Sequence, residues 1–150
     1  MKDQFTSRGI VVENAIGFWV QRVYQAMRTE MYRLFREHGE DITPEQWMIL
    51  IRLWEQDDRT QADLCELTSR DAPTMSRIVD VMAKNGLLHR KPHAEDGRVR
   101  VIHLTRKGRE LEKKLVPIAH ELVARLVKGI PEDDLVTARA TLRTLFENLS

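Results

Sequence analysis

The chain has one cysteine in 150 residues, Cys65, which excludes an intrachain disulfide and leaves too few thiols for a cysteine-rich zinc site. No apolar run approaches the roughly 18 residues of a membrane span, and residues 1–9 lack the basic-then-apolar layout of a secretory leader. The expectation is a cytoplasmic protein with no membrane partner. The seven glycines and five prolines form no linker, repeat or low-complexity tract, so a single domain over residues 1–150 is expected. There is also no Gly-rich phosphate loop, nucleophile elbow or carboxylate pair on one helix face. The residues therefore support no enzyme and imply no cofactor.

The near-absence of net charge hides an asymmetry. Formal charge is +1 overall, but residues 70–114 hold twelve Lys/Arg against six Asp/Glu, so this stretch carries +6 and the remainder −5. A basic surface confined to one region of a nearly neutral chain is the electrostatic footprint of phosphate binding.

Helical periodicity begins at about Val12 and runs to His38, with Ile16, Val20, Val23, Met27, Met31 and Leu34 recurring every three or four residues. Gly39 ends it. Thr43-Pro44-Glu45-Gln46 then supplies an N-cap, a first-turn proline and a capping-box glutamine for a helix running through Trp47, Leu50 and Trp54. Thr60 caps a short helix, Gln61–Leu67, with Leu64 and Leu67 expected to face inward. Asp71 caps the next helix, in which Met75, Ile78, Val79 and Met82 form an apolar stripe while Arg77 and Lys84 point the opposite way. Two short helices joined by a tight turn suggest helix-turn-helix.

After Gly86 come two strand-like segments, Leu88–Lys91 and Val99–Leu104, with Asp96-Gly97 suited to the turn between them. Ile102 and Leu104 are expected to face the body, and Val101 and His103 to face out. Thr105 caps a long fifth helix that Pro117 should kink or end early. Past Gly129-Ile130-Pro131, Leu135, Ala138, Leu142, Leu145 and Leu149 mark a packing seam on a last helix. The first and last helices carry more apolar surface than a small winged core can cover, so a homodimer built from both chain ends is expected.

Base reading in a major groove needs a helix with short polar side chains near its N-terminus and cations for phosphates. Thr74, Ser76 and Arg77 occupy that position, with Arg70 and Lys84 at flanking phosphates and Arg100 on the basic hairpin. Arg98, at the hairpin tip, suits the negative potential of a narrow minor groove, with Asp96 as its brace. Asp80 is expected to orient Arg77, three residues earlier.

This order of elements resembles the MarR family of winged-helix transcription regulators. The family's Asp-x-Arg-x(5)-Leu-Thr wing pattern appears as Asp96, Arg98, Leu104 and Thr105, and its Pro-Thr-x-Ser-Arg-x-x-Asp helix core as Pro73, Thr74, Ser76, Arg77 and Asp80. The resemblance implies a mainly α fold with a small β wing: a winged helix-turn-helix lobe at about 43–105, with dimerisation helices at about 9–38 and 106–150. It also implies a homodimeric repressor on a pseudo-palindromic operator in double-stranded DNA, released in many members by a small phenolic or aromatic-acid effector bound between the dimer helices and the winged lobe. Ile130 departs from the polar cap usual before the last helix.

Competing assignments exist for the remaining residues. Cys65, mid-helix beside Leu64, reads as a packed thiol rather than a redox sensor. His89, His93 and His103 cluster on the hairpin, but with His38 or Cys65 they match no compact metal motif, and no metal is assigned. Trp19 and Trp47 are candidates to line an effector pocket, against the plainer role of core aromatics. A winged-helix module that binds a protein partner, or a metal- or redox-responsive DNA-binding regulator, would use the same fold.

Overall fold

The computed structural model describes residues 5–6 and 9–150, with side chains from residue 11 onward. A two-residue antiparallel pair, β1 (Phe5–Thr6) and β2 (Gly9–Ile10), opens it. The first helix, α1 (Ile16–Glu37), starts later than the periodicity at Val12 suggests. Val12–Asn14 forms a separate 3₁₀ turn followed by extended Ala15, and the Trp19 indole N–H donates to the Glu13 carbonyl at 2.8 Å. Gly39, at φ +81°, ends the run.

Local capping chemistry then sets each boundary of the central lobe. In α2 (Pro44–Glu55) the Thr43 hydroxyl accepts the Gln46 amide at 3.3 Å while the Gln46 side chain accepts the Thr43 amide at 3.0 Å. In α3 (Gln61–Thr68) the same reciprocal pair forms between Thr60 and Asp63, at 3.1 and 3.0 Å. Each closes two backbone donors that a helix start leaves open. Ser69, in the left-handed region at φ 51°, turns the chain into α4 (Ala72–Lys84), whose cap is Asp71.

The sheet has three strands, not two. β3 (Arg59–Thr60) pairs with β5 (Arg100–Leu104), which also pairs with β4 (Leu88–Pro92), all antiparallel. Because β5 is central, Val101 registers between Thr60 and Lys91 and is 1 % exposed, where the sequence suggested an outward side chain. His103 on the same face stays half-exposed. Ile102 and Leu104 do enter the core.

That core joins the second half of α1 (Leu34, Phe35), α2 (Ile49, Leu50, Leu53), Leu64, α4 (Met75, Val79, Met82), the sheet, and Leu115, Ile118 and Leu122 farther along the chain. Met75, Val79 and Met82 are each 0 % exposed, and burying each side chain contributes about 2 kcal/mol. Ile78 is only half-buried, and Leu67, at the last turn of an eight-residue helix, is exposed rather than inward.

The fifth helix breaks near Leu111, not at Pro117, giving α5 (Arg106–Glu110) and α6 (Glu112–Leu126). The Gly108 carbonyl, which an unbroken helix needs for the Glu112 amide, receives the Trp54 indole N–H at 3.0 Å. Gly108 itself is mandatory: a Cβ there would lie 2.1 Å from the Leu87 carbonyl oxygen. Pro117 sits inside α6 without interrupting it.

The last helix, α7 (Glu132–Glu147), buries nothing. Its N-cap is Pro131, one residue after the Ile130 that the sequence points to, and makes no side-chain cap; Glu132, Asp133 and Asp134 place negative charge against the positive end of the helix dipole. Val136, Leu142 and Phe146 are 47–64 % exposed, as are Ile16, Trp19, Val20, Val23 and Tyr24 of α1 at 44–53 %. No described helix is long and apolar enough to cross a membrane.

Candidate nucleic-acid interface

The N-terminus of α4 is held by one carboxylate. Asp71 accepts both the Thr74 amide and the Thr74 hydroxyl at 2.8 Å, and the amide bond above all holds its carboxyl below the usual range. Thr74 therefore presents its methyl and lone pairs, its proton being committed to Asp71. Pro73, Arg77, Val81 and Lys84 follow at helical spacing along the exposed face, with Thr74 and Ser76 half-buried on its two flanks. Val81, 49 % exposed beside Arg77 and Lys84, escaped the sequence reading. The signal was available, since it lies four residues beyond Arg77 on the outward side.

The structure sorts the twelve cations of residues 70–114 into two groups. Seven have partners: Arg70 with Glu45, Arg90 with Asp80, Lys91 with Asp58, Arg106 with Glu110, Lys107 with the Asn85 carbonyl, Arg109 with Asp57 and Lys114 with Glu40. Arg77, Lys84, Arg98, Arg100 and Lys113 form no ion pair with described residues. Four of these five lie on α4 and the hairpin. Cations already neutralised by carboxylates release few counterions on meeting a polyanion, so the unpaired four are the ones whose charge is available to an external phosphate.

Two expected roles change. Asp80 does not orient Arg77; it accepts Arg90 of β4 at 2.6 Å, and Arg90 also reaches Gln61 at 3.4 Å. The pair ties α4 to the wing and to α3. Arg70 does not project toward a flanking phosphate, because its guanidinium faces Glu45 at 3.8 Å.

At the wing tip the Asp96 carboxylate accepts the Arg98 amide at 3.0 Å, while the His93 and Val99 amides close the turn onto Val99 and Asp96 carbonyls at 2.8 and 3.0 Å. Asp96 braces the backbone beneath Arg98 and leaves the guanidinium free to extend. The wing base is fastened by Asp57, which accepts the Leu104 amide at 3.0 Å and Arg109 at 2.9 Å. His103 joins it: Nδ1 lies 2.6 Å from Asp58, and Nε2 lies 2.8 Å from Arg109. With Nε2 accepting from a guanidinium, Nδ1 carries the proton toward Asp58.

Asp57, Asp58 and His103 form the one potential metal-ligating group among the described residues. Their atoms are engaged by Arg109, Lys91 and the Leu104 amide, so the cluster works as a latch. His89 stacks edge-on against His103 at 5.2 Å, and His93 accepts the Glu95 amide. Cys65 is half-buried against the core.

A cavity of about 310 Å³ lies between α1, α2 and the turn into α4. Trp47, Met27, Met31 and Met48 give it apolar walls, and Arg28 and Arg70 edge it. Trp47 thus reaches a cavity, its ring 5.2 Å from Phe35 and 5.7 Å from Trp54. Trp19 lines none of the cavities described and remains on the exposed face of α1. Glu45 pairs with Arg28 and shares the same Oε1 with Arg70. Burial pushes the Glu45 carboxyl up, but its own backbone amide and Arg28 outweigh that and hold it below the usual range.

Comparison with known proteins agrees with this geometry. A sequence model described as "MarR family" matches residues 42–99. The organic hydroperoxide resistance transcriptional regulator of Bacillus subtilis is 34 % identical over 109 residues, covering 73 % of each chain. The HTH-type transcriptional repressor IacR of Pseudomonas putida is 26 % identical over 132 residues, covering 88 % of this chain and 78 % of the relative. Among solved structures, the MepR–DNA complex of S. aureus superposes with TM-score 0.80 at 25 % identity, covering 89 % of this chain and 98 % of that one. CouR from Rhodococcus jostii bound to p-coumaroyl-CoA gives 0.81 at 22 % identity, covering 90 % and 94 %.

Proposed function

The chain belongs to the MarR family of winged-helix, DNA-binding transcription regulators, and from that premise we propose that it is a homodimeric, ligand-responsive repressor that works in the cytoplasm on a pseudo-palindromic operator. Thr74, Ser76 and Arg77 of α4 meet base edges in the major groove, Lys84 and Arg100 meet phosphates, and Arg98 enters the adjacent minor groove. The observation that carries this reading is the sorting of charge: the unpaired cations gather on α4 and the wing, while their neighbours are spent on internal carboxylates.

The exposed apolar faces of α1 and α7 support a dimer built from the two chain ends. A two-fold dimer places two α4 helices on successive turns of one DNA face, with half-sites about 10 base pairs apart or a multiple of that. The cavity walled by Trp47 is the effector site, a reading supported by its apolar walls and the two arginines among its lining residues.

Selection from a random duplex library, followed by anisotropy titration of the enriched sequence, tests the reading. The expected product is an inverted repeat bound in the nanomolar range, with affinity falling steeply with salt. Enrichment of no sequence, together with capture of an acidic protein partner on the same basic face, would instead favour a protein-interaction module.

A further inference from the structure

We infer that one edge of α4, formed by Thr74, Ile78 and Val81, selects thymine by contact with its C5-methyl group, so that the operator's half-sites carry thymines along that edge. This rests on α4 entering the major groove. Its new content is the base that is chosen and Val81 as a residue that chooses it.

Helical spacing defines the edge. At about 100° per residue, Thr74, Ile78 and Val81 fall within about 60° of one another around the α4 axis. Ser76 and Asp80 lie on the opposite edge, where Asp80 accepts Arg90 of the wing at 2.6 Å. Arg77 and Lys84 run between the two edges, exposed and without ion pairs to described residues. The helix therefore has a polar edge tied to the wing, a cationic middle and a third strip that is apolar. Val81 is 49 % exposed on that strip, and Ile78, half-buried against the core, continues it toward Thr74. An exposed apolar strip directly beside unpaired cations belongs to the same contact surface as those cations.

Thr74 joins the strip because its hydroxyl is already used. The Thr74 hydroxyl donates to one Asp71 oxygen and the Thr74 amide to the other, both at 2.8 Å. Those bonds, the amide first, hold the Asp71 carboxyl below the usual range, so it stays ionised and only accepts. Donating to a base instead would cost Thr74 a charge-assisted bond, the stronger kind. With that proton committed, no side chain on this edge offers a hydrogen-bond donor.

The choice of base follows. In the major groove adenine, guanine and cytosine present donors and acceptors, whereas thymine adds a methyl group. An apolar edge set against polar base atoms would strip their water and return no bond. Set against a thymine methyl it buries apolar area on both sides. Thr74 and Val81 stand about 10 Å apart along the helix axis, roughly three base steps of about 3.4 Å. The strip is therefore long enough to meet more than one thymine.

The test replaces thymidine by deoxyuridine in the operator obtained by selection, one position at a time in both half-sites, and reads affinity by anisotropy. Uracil keeps the base pair and removes only the methyl. At two or more positions it should weaken wild-type binding about fourfold per half-site, the loss expected for one buried methyl. Thr74→Ser keeps a hydroxyl for Asp71 and loses the methyl, so it should become indifferent to uracil at one of these positions. Thr74→Val keeps a methyl and loses the hydroxyl, and should still discriminate there. Val81→Ser should lose discrimination at a different position. Melting curves verify folding, and Val81→Ser, at an exposed site, keeps the test decisive if a Thr74 variant fails to fold. Uracil tolerated everywhere overturns the inference, as does discrimination that every variant retains. So does the reverse pattern, indifference in Thr74→Val with discrimination in Thr74→Ser, which marks a hydroxyl reader. A selection that enriches no sequence overturns the DNA-reading premise itself, so the two failures are distinguishable.

Discussion

The winged lobe and the chain ends are built from equally periodic helices, yet they finish folding differently. In the lobe, α2, α3, α4 and α5 each begin with a side-chain cap, and their apolar stripes meet in one core where Leu50, Leu64, Met75 and Met82 are fully covered. At the ends, α7 buries nothing, and the first half of α1 exposes Val20, Val23 and Tyr24. The lobe satisfies itself within one chain; the ends leave apolar faces uncovered, which the proposed dimer would bury. An apolar face the chain cannot cover alone is therefore as informative about assembly as a basic face is about DNA.

If this contrast is right, damage at the ends should abolish dimer function while sparing the lobe's fold. Leu142→Glu together with Val20→Glu should yield a monomer by light scattering with unchanged helical circular dichroism. Operator affinity should drop at least about a hundredfold as the two half-sites become independent. A fully dimeric double variant would remove the chain ends from the interface.

Damage to the lobe should instead appear as reduced stability. Gly108→Ala forces a Cβ to within 2.1 Å of the Leu87 carbonyl oxygen and should cost on the order of 3 kcal/mol, lowering the melting temperature by roughly 10 °C. Asp57→Ala strands the Leu104 amide and Arg109, and should cost about 1–2 kcal/mol with the wing loosened. A melting temperature unchanged by Asp57→Ala would dismiss the latch at the wing base.

The mildest effect is acid sensitivity. Glu30, held to about 2 first by its hydrogen bond from Arg33 and then by Arg125, binds α1 to α6. Asp63 and Asp71, lowered by their capping bonds, stabilise starts in the lobe. A depressed folded pKa gives stability that is complete above the unfolded value near 4 and drains away as pH falls through the folded one. Chemical-denaturation midpoints should be flat from about pH 8 to 5 and decline from about pH 4 toward 2. A decline that begins near pH 6 would implicate histidines and contradict this assignment.

Legibility in the sequence followed the range of the interactions. Caps at Thr43, Thr60, Asp71 and Thr105 were readable because each bond spans three residues. The expected helix order and the hairpin appear in the structure for the same reason. What escaped depends on distant partners. Val101, buried in the structure, pairs with Thr60 of β3, some forty residues earlier. The break at Leu111 lies beside a Gly108 carbonyl that accepts the distant Trp54 indole, and the Asp80 carboxylate accepts from Arg90 of the wing. Glu45, read at first as part of a capping segment, acquires its second role only when α1 and the turn before α4 converge on it.

The most direct test is the salt dependence of operator affinity for wild type, Arg77→Ala and Arg98→Ala, measured by anisotropy. Each substitution should cost about 1–3 kcal/mol and reduce the slope of log affinity against log salt by about one for each DNA-facing charge removed per protomer, while Arg106→Ala, whose charge is already paired with Glu110, should change neither. If all three variants bind with the wild-type affinity and slope, α4 and the wing are not the DNA-reading surface.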